Sequence, residues 1–287
     1  GIISSPGERS IMVVYVFPGS PADRAGIKRR DRITHVDGVP FDNPRTDPSR
    51  IRGVEGTTVR LTVISPGANP REIEVVRERI LGGVAPTGRR LESAPSVGYL
   101  IIPDLWTGDM DVQVDRELVR LLNEQPPMTG LILDMRGNGG GYRSVLEQIL
   151  GNFISGEVGE FYDKNSTFPF TITGKTLQQR LGGIPLAVLT DGGTESYAEV
   201  LAGALQVRGR AVVIGRPTAG NTETIYRYDF EDGSRLWIAQ QGFRLQDGTE
   251  LEGRGVLPDV PMSEDWTAYP ESEDPDIRRA LEALAKR

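Results

Sequence analysis

The sequence predicts an α/β protein in two parts: a small β-rich module over residues 1–81 and a larger α/β domain over 97–287, joined by a linker at 82–96. Three observations carry this reading. Before residue 80 the apolar residues fall in short runs at strand spacing, broken by turn signals. After residue 97 buried apolar runs alternate with helical patterns, as in an α/β domain with a largely covered sheet. Between them, three glycines, two prolines and two serines stand without periodicity. A length of 287 residues also suits two domains at roughly 150 residues each.

In the first part, 11–16 reads as a buried strand. Ser20-Pro21-Ala22-Asp23-Arg24-Ala25-Gly26 then reads as one turn of helix, with Ser20 as the N-cap, Pro21 in the first turn and Gly26 as the stop. A strand at 32–36, a turn at Asp37-Gly38, a short helix near 47–53, an alternating strand at 58–64 and a last strand at 72–77 complete the module. In the second part, strands are expected at 97–102, 129–134, 185–190 and 211–215. Helices are expected near 112–123, 142–153 and 196–207, then β segments at 224–229, 235–239 and 242–245, and a charged helix near 274–286.

Composition narrows the function. Lys plus Arg is 33 and Asp plus Glu is 40, a net charge of −7, so the basic excess that nucleic acid demands is missing and no nucleic-acid partner is expected. There is no cysteine and a single histidine, His35, which removes disulfides, a thiolate nucleophile and Cys- or His-based metal cages. No metal and no organic cofactor is implied. No apolar run reaches the ~18 residues of a membrane-crossing helix. The chain opens on Gly-Ile-Ile, without Met or a signal-peptide pattern, and reads as a fragment of a longer protein.

The sharpest segment is Leu131-Ile-Leu-Asp-Met-Arg-Gly-Asn-Gly-Gly-Gly141 before a helix. A strand running into glycines and a helix start presents backbone N–H groups to a phosphate or a developing oxyanion. No Gly-Lys-Ser/Thr follows, which excludes a P-loop, and the glycine spacing does not fit a dinucleotide fingerprint. A second strand–turn–helix runs Val188-Leu-Thr-Asp-Gly-Gly-Thr-Glu-Ser196-Tyr-Ala-Glu199. Taken alone, Ser196 would be an ordinary N-cap.

Together with Gly215-Arg-Pro-Thr-Ala-Gly220, Asp232-Gly-Ser234 and Gly253-Arg-Gly-Val-Leu-Pro-Asp259, these two segments resemble, in order and kind, the tail-specific or C-terminal processing serine peptidases (S41-type). The first part resembles a bacterial PDZ domain through Gly1-Ile2, Pro18-Gly-Ser-Pro-Ala-Asp-Arg-Ala-Gly-Ile27 and Asp31-Arg-Ile-Thr-His-Val-Asp-Gly38. The resemblance implies a Clp protease/crotonase-like β-β-α catalytic domain preceded by the PDZ domain. It implies Ser196 as nucleophile and an oxyanion hole from the N–H of Tyr197 and of Gly140 or Gly141. It also implies polypeptide substrates with free or unstructured C-termini. Gly1-Ile2-Ile3 would begin the strand that receives a peptide, with the helix near Asp47–Arg52 as the opposite wall. An extracytoplasmic location, periplasmic or membrane-attached through an N-terminal segment outside this sequence, and a homo-oligomer are in keeping with the same resemblance.

The resemblance departs at the proton acceptor. One branch of the family carries Lys 25 residues after the nucleophile, where this chain has Asn221. A second branch, resembling the tricorn core, echoes Gly139–Ser144 and has a counterpart to Glu252, but places a His where Leu100-Ile101-Ile102 stands. His35 lies in the PDZ part, and the four lysines are Lys28, Lys164, Lys175 and Lys286. Three readings stay open. Glu252, Glu199 or Glu223 serves Ser196, with Asn221 orienting a water or the substrate; a His or Lys comes from outside this chain; or peptidase activity has been lost and a peptide-binding protein remains. A crotonase-type enzyme acting on a CoA thioester is disfavoured by the PDZ module and the serine-headed helix.

Overall fold

The structure is a computed structural model and describes residues 1–7, 9–42, 48–80 and 83–287. It divides into two compact units, residues 1–85 with 264–278, and residues 86–263 with 279–287.

The first unit holds β1 (Ile2–Pro6), β2 (Ile11–Val16), α1 (Pro21–Arg24), β3 (Arg32–Val36), β4 (Val39–Pro40), β5 (Thr58–Ile64) and β6 (Arg71–Val76). The sheet runs β1-β2-β3-β5-β6, with β4 on β3. Ser20 caps α1 as expected, its hydroxyl accepting the Asp23 N–H at 3.3 Å. The alternation of β5 sends Val59, Leu61 and Val63 into one core with Ile11, Val13, Ile33 and Phe41. β2 is apolar at every position for a specific reason. Ile11 and Val13 face that core, while Met12 and Val14 face Trp266 from the C-terminal segment. The same segment brings Asp274 to Arg30 in a buried ion pair of 2.8 Å. Residues 264–278 therefore belong with the first unit, although the sequence places them in the second part; pairing across more than 200 residues leaves no local signal. Of the helix expected near 47–53, a 3-10 turn over Pro48–Ile51 is described, and Asp47 lies outside the described residues.

The second unit holds two sheets. The first has the order β16 (Val260–Pro261), β13 (Ala211–Gly215), β12 (Leu186–Thr190), β9 (Gly130–Asp134), β8 (Ala94–Ile101), β7 (Thr87–Leu91). From β8 to β16 all neighbours are parallel, and β7 closes the edge antiparallel. β9, β12 and β13 are buried at every residue, which is what a parallel sheet covered on both faces requires. The second sheet, β11 (Thr167–Ile172), β10 (Gly156–Tyr162), β15 (Arg235–Leu245), β14 (Thr224–Asp229), is antiparallel. Helices α2 (Met110–Asn123), α3 (Arg143–Leu150), α4 (Thr176–Leu181) and α5 (Tyr197–Val207) belong to this unit, and α6 (Pro275–Leu284) contributes residues to both.

The stretch 82–96 is not the linker that its composition suggests: β7 and the start of β8 lie in it. β7 is a polar edge strand, and its arginines are in use. The Arg89 guanidinium sits 4.8 Å from the centre of the Tyr99 ring, and Arg90 donates to Leu121 O at 2.8 Å. Charge on an edge strand discourages pairing with other chains, and it also hides the strand from a hydrophobicity reading.

Candidate active site and peptide groove

The turns that leave β9, β12 and β13 at their carboxyl ends are laced together by backbone hydrogen bonds. Met135 N–H donates to Leu189 O at 3.0 Å, Glu195 N–H to Asn138 O at 2.9 Å, Ala219 N–H to Thr194 O at 3.0 Å and Ser196 N–H to Asn221 O at 3.0 Å. The 131–141, 188–199 and 215–220 segments singled out by sequence therefore meet at Ser196, while Asp232–Ser234 lies in the β14–β15 turn.

Ser196 precedes α5 with φ 57° and ψ −128°. An ordinary N-cap sits in the extended region; a non-glycine residue at positive φ stores on the order of 1–3 kcal/mol and persists only where its surroundings over-determine it. Those surroundings are specific. Glu199, fully buried, accepts four hydrogen bonds: from Ser196 N–H at 2.9 Å, Asn221 N–H at 3.0 Å, Gly220 N–H at 2.7 Å and Thr218 Oγ1 at 2.5 Å. Burial raises its pKa above the ordinary carboxyl value, against the pull of the four donors. A carboxylate offers about four acceptor positions, and all four are occupied. Glu199 is thus a clamp that joins the Ser196 turn to the 218–221 loop, with no acceptor position left for a proton from Ser196.

Gly140 meets Ser196 from the other side. A methyl group on Gly140 would stand 2.7 Å from Ser196 Cβ, 2.9 Å from Glu195 O and 3.1 Å from Tyr197 N, so only glycine fits, and φ of 78° independently favours it. Of the three residues expected at the oxyanion hole, Gly140 is corrected: its N–H is committed to Asn138 Oδ1 at 2.9 Å. The N–H groups of Gly141 and Tyr197 have no acceptor among the described residues. Gly141 lies against Leu105, where a methyl would overlap the carbonyl carbon at 1.9 Å. Beside it Trp106 and Tyr142 stand edge to face with centroids 5.4 Å apart, both half exposed.

Two positioning features went unassigned in the sequence. Asn138 is fully buried and ties Gly140 N–H to Ile102 O, which it reaches through Nδ2 at 2.8 Å; a polar residue between glycines of one turn was the available signal. Arg136 is buried too, paired with Asp134 at 2.8–2.9 Å, and that carboxylate also takes the Tyr99 hydroxyl at 2.5 Å. This pair braces the end of β9 rather than facing Ser196.

On the opposite side of Ser196 the chemistry thins. Asn221 is held beside Ser196 through its backbone, and its side chain is exposed. Glu252 accepts from Thr222 N–H at 2.7 Å, Thr222 Oγ1 at 3.3 Å and Glu223 N–H at 3.2 Å, all through Oε2. It braces the loop that carries Asn221 and keeps Oε1 available. Glu223 is exposed. Lys175 is paired with Asp115, Lys164 is exposed in the β10–β11 turn, and His35 belongs to β3 of the first unit, its Nδ1 at 2.9 Å from Thr34 Oγ1. Among the described residues, no cluster of His, Asp or Glu is arranged to hold a metal ion.

The first unit carries a cavity of about 390 Å³. Gly1, Ile2 and Ser4 form one wall and Ile51 and Arg52 another, over an apolar floor that includes Leu61. Gly1 and Ile2, expected to begin a peptide-receiving strand, both line this cavity. Ile3 is corrected: strand alternation turns it away, to pack on Met12, Val14 and Trp266.

The family model for peptidase family S41 matches residues 96–262, and a PDZ-domain model matches residues 12–65. The carboxyl-terminal-processing protease of Picosynechococcus sp. is 27% identical over 271 residues, 90% of this chain and 62% of that protein. The carboxy-terminal processing protease CtpB of Bacillus subtilis is 26% identical over 264 residues, 88% of this chain and 53% of that protein. The chain thus spans between about half and two thirds of these relatives' length. Among solved structures, the photosystem II D1 C-terminal processing protease superposes with a TM-score of 0.66 at 22% identity, covering 98% of this chain and 75% of that one. A putative S41 protease from Bacteroides fragilis gives 0.68 at 18% identity, covering 100% and 82%. These likenesses show a shared fold.

Proposed function

This chain belongs to peptidase family S41, and from that premise we propose that it is a serine endopeptidase of low intrinsic turnover. The cavity of the first unit receives the C-terminal tail of an unstructured polypeptide, and Ser196 cuts the chain by acyl transfer. The observation that carries the reading is Ser196 at φ 57°, wedged between the Gly140 backbone and the Glu199 clamp. A mere helix cap needs none of that strain.

In the proposed reaction Ser196 Oγ attacks the scissile carbonyl, and the N–H groups of Tyr197 and Gly141 receive the developing oxyanion. A donor of this kind is worth about 10²–10³ in kcat. The hydroxyl proton must leave as the bond forms, and the residue at position 221 is an amide, which takes no proton. Proton removal falls to water or to the Glu252 carboxylate, a weak acceptor for an alcohol, with Asn221 orienting the water or the substrate. Low turnover follows, since a well-placed base supplies roughly 10²–10⁴-fold. We extend the proposal to an extracytoplasmic setting. No helix among the described residues is long and apolar enough to cross a membrane.

A second reading is a peptide-binding protein on the same scaffold, without catalysis. The observation favouring it is the exposed amide of Asn221 beside the nucleophile turn. Fluorophosphonate labelling separates the two. The peptidase reading expects a slow covalent adduct on Ser196, located by peptide mass mapping and absent in Ser196→Ala. An unlabelled wild-type chain leaves the binding reading.

A further inference from the structure

The β14–β15 hairpin leaves seven large apolar side chains in solvent: Ile225, Tyr226, Tyr228, Phe230, Leu236, Trp237 and Ile238, each between 41% and 54% exposed. A ribbon so apolar is unusual on an isolated surface. Moreover β14 is the edge of its sheet; it contains no proline or lysine, and its two charges, Arg227 and Asp229, neutralise each other at 2.8 Å, so they blunt the edge less than the arginines of β7 blunt theirs.

The backbone fixes which groups are available. Phe230 N–H donates inward to Ser234 O at 3.0 Å. Hydrogen-bonded pairs alternate along an antiparallel ladder, so Tyr228 and Tyr226, opposite Leu236 and Ile238, also bond inward. Residues 225, 227 and 229 therefore direct their N–H and C=O groups outward. On one face stand Tyr226, Tyr228, Leu236 and Ile238, without a charge. On the other, Arg227 and Asp229 lie with Trp237 and Arg235 opposite them.

We infer that β14 is a self-docking edge. Two copies of this chain pair antiparallel along it about a two-fold axis at Tyr228, joining two four-stranded sheets into one of eight. The charges select this register. An axis at 227 would set Arg227 against itself, an axis at 229 would set Asp229 against itself, and an axis at 226 would set Asp229 against Glu223. Like charges directly opposite are destabilising. An axis at 228 sets Arg227 opposite the partner's Asp229, and this happens twice by symmetry. It also sets Tyr226 opposite the partner's Phe230 and the two Tyr228 rings opposite each other. The outward residues meet outward residues, as a ladder requires. The contact is small beside the roughly 1,200–2,000 Å² of a stable interface, so the dimer is weak and concentration-dependent.

Sedimentation of the full chain between about 5 and 300 µM is the test, over a range suited to a small interface. The weight-average mass is expected to climb from 31.4 kDa towards twice that value. Arg227→Asp, which sets two Asp–Asp pairs in the interface, is expected to raise the dissociation constant about tenfold or more. Arg227→Asp combined with Asp229→Arg is expected to return it to within about threefold of the original, because the exchanged charges again oppose. Tyr228→Asp, which sets two carboxylates on the axis, abolishes association without touching the Arg–Asp pairs. Circular dichroism confirms that each variant keeps its fold. A chain that stays monomeric throughout, an association that Arg227→Asp and Tyr228→Asp leave unchanged, or a double variant without recovery overturns the proposal.

Discussion

The two sides of Ser196 are built differently. On one side the 136–141 turn is closed and buried. Asn138 is bonded through both its side-chain oxygen and its nitrogen, a methyl on Gly140 would overlap Ser196 Cβ, and two N–H groups are left without an acceptor among the described residues. On the other side the 218–223 loop has the same care in its scaffold, with Glu199 and Glu252 together accepting backbone N–H groups from residues 220 to 223. Yet the side chain it presents beside Ser196 is an exposed amide. Scaffold and chemistry are thus separable: the clamps that place residue 221 act on its backbone and do not depend on which side chain it carries. A proton acceptor can be absent from position 221 while the loop stays in place, and an amine should therefore be replaceable there at little structural cost.

Asn221→Lys tests that separation with the largest expected effect. If only the acceptor is missing, the substitution should raise hydrolysis of an unfolded protein such as casein by about 10²–10⁴-fold, with Ser196→Ala inert in the same background. The amine must be desolvated enough to lose its proton near neutrality, so the gain should grow with pH from 7 to 9. Brisk digestion by the unaltered chain, with Asn221→Lys slower, would mean that the acceptor lies elsewhere.

Gly140→Ala attacks the finished side. The methyl would stand 2.7 Å from Ser196 Cβ at a φ of 78°, so the Ser196 turn must move. Labelling of Ser196 should fall by about 10²-fold, in line with loss of oxyanion donors. Overpacking and strain should also cost about 1–3 kcal/mol in a denaturant titration. Unchanged labelling would show that the turn contributes nothing to the chemistry.

Glu199→Gln addresses the clamp common to both sides. A glutamine amide brings an NH₂ against donors, so two of the four hydrogen bonds are lost, at a cost of about 1–3 kcal/mol. The pH dependence has a definite sign. Burial holds the Glu199 pKa above the ordinary carboxyl value of about 4.5. Its contribution to stability is fully present below that value and is lost as the pH rises through the folded pKa. The gap between wild type and Glu199→Gln should therefore be widest near pH 4 and narrower at pH 7.5, read from urea midpoints at both. A gap that widens with pH would mean that the four donors outweigh burial.

The same asymmetry governed what the sequence could reveal. Ser196, Gly141 and Tyr197 could be singled out as candidates because strand, glycine turn and helix start are local patterns. That Gly140 N–H is taken by Asn138 was not, because the competing acceptor is a side chain two residues away whose direction depends on Ile102. β10, β11 and α4 carried little signal: β10 contains Gly156 and Gly159, and β11 is an edge strand interrupted by Pro169, each a feature that weakens a strand pattern. β7 was hidden by its arginines. The packing of Trp266 on β2 depended on a chain return of some 250 residues, which periodicity does not encode.

The smallest effect is expected at Glu252, and it sharpens the comparison most finely. Its Oε2 accepts from Thr222 and Glu223, so the carboxylate acts first as a brace for the loop. Glu252→Gln can keep that brace by turning its carbonyl oxygen to the same N–H groups, while removing the negative charge and the weak proton acceptor. If the acceptor role is slight, Ser196 labelling should fall only a few-fold, well short of the roughly 10²–10⁴ that a dedicated base supplies. Glu252→Ala removes the brace as well, leaves the Thr222 and Glu223 N–H groups to water, and should lower labelling further through movement of the 218–223 loop. The order wild type, Gln, Ala is thus the mark of a scaffold residue. Equal losses of 10²-fold or more in both variants would instead mark Glu252 as the working base, and the amide at position 221 would then cease to explain low turnover.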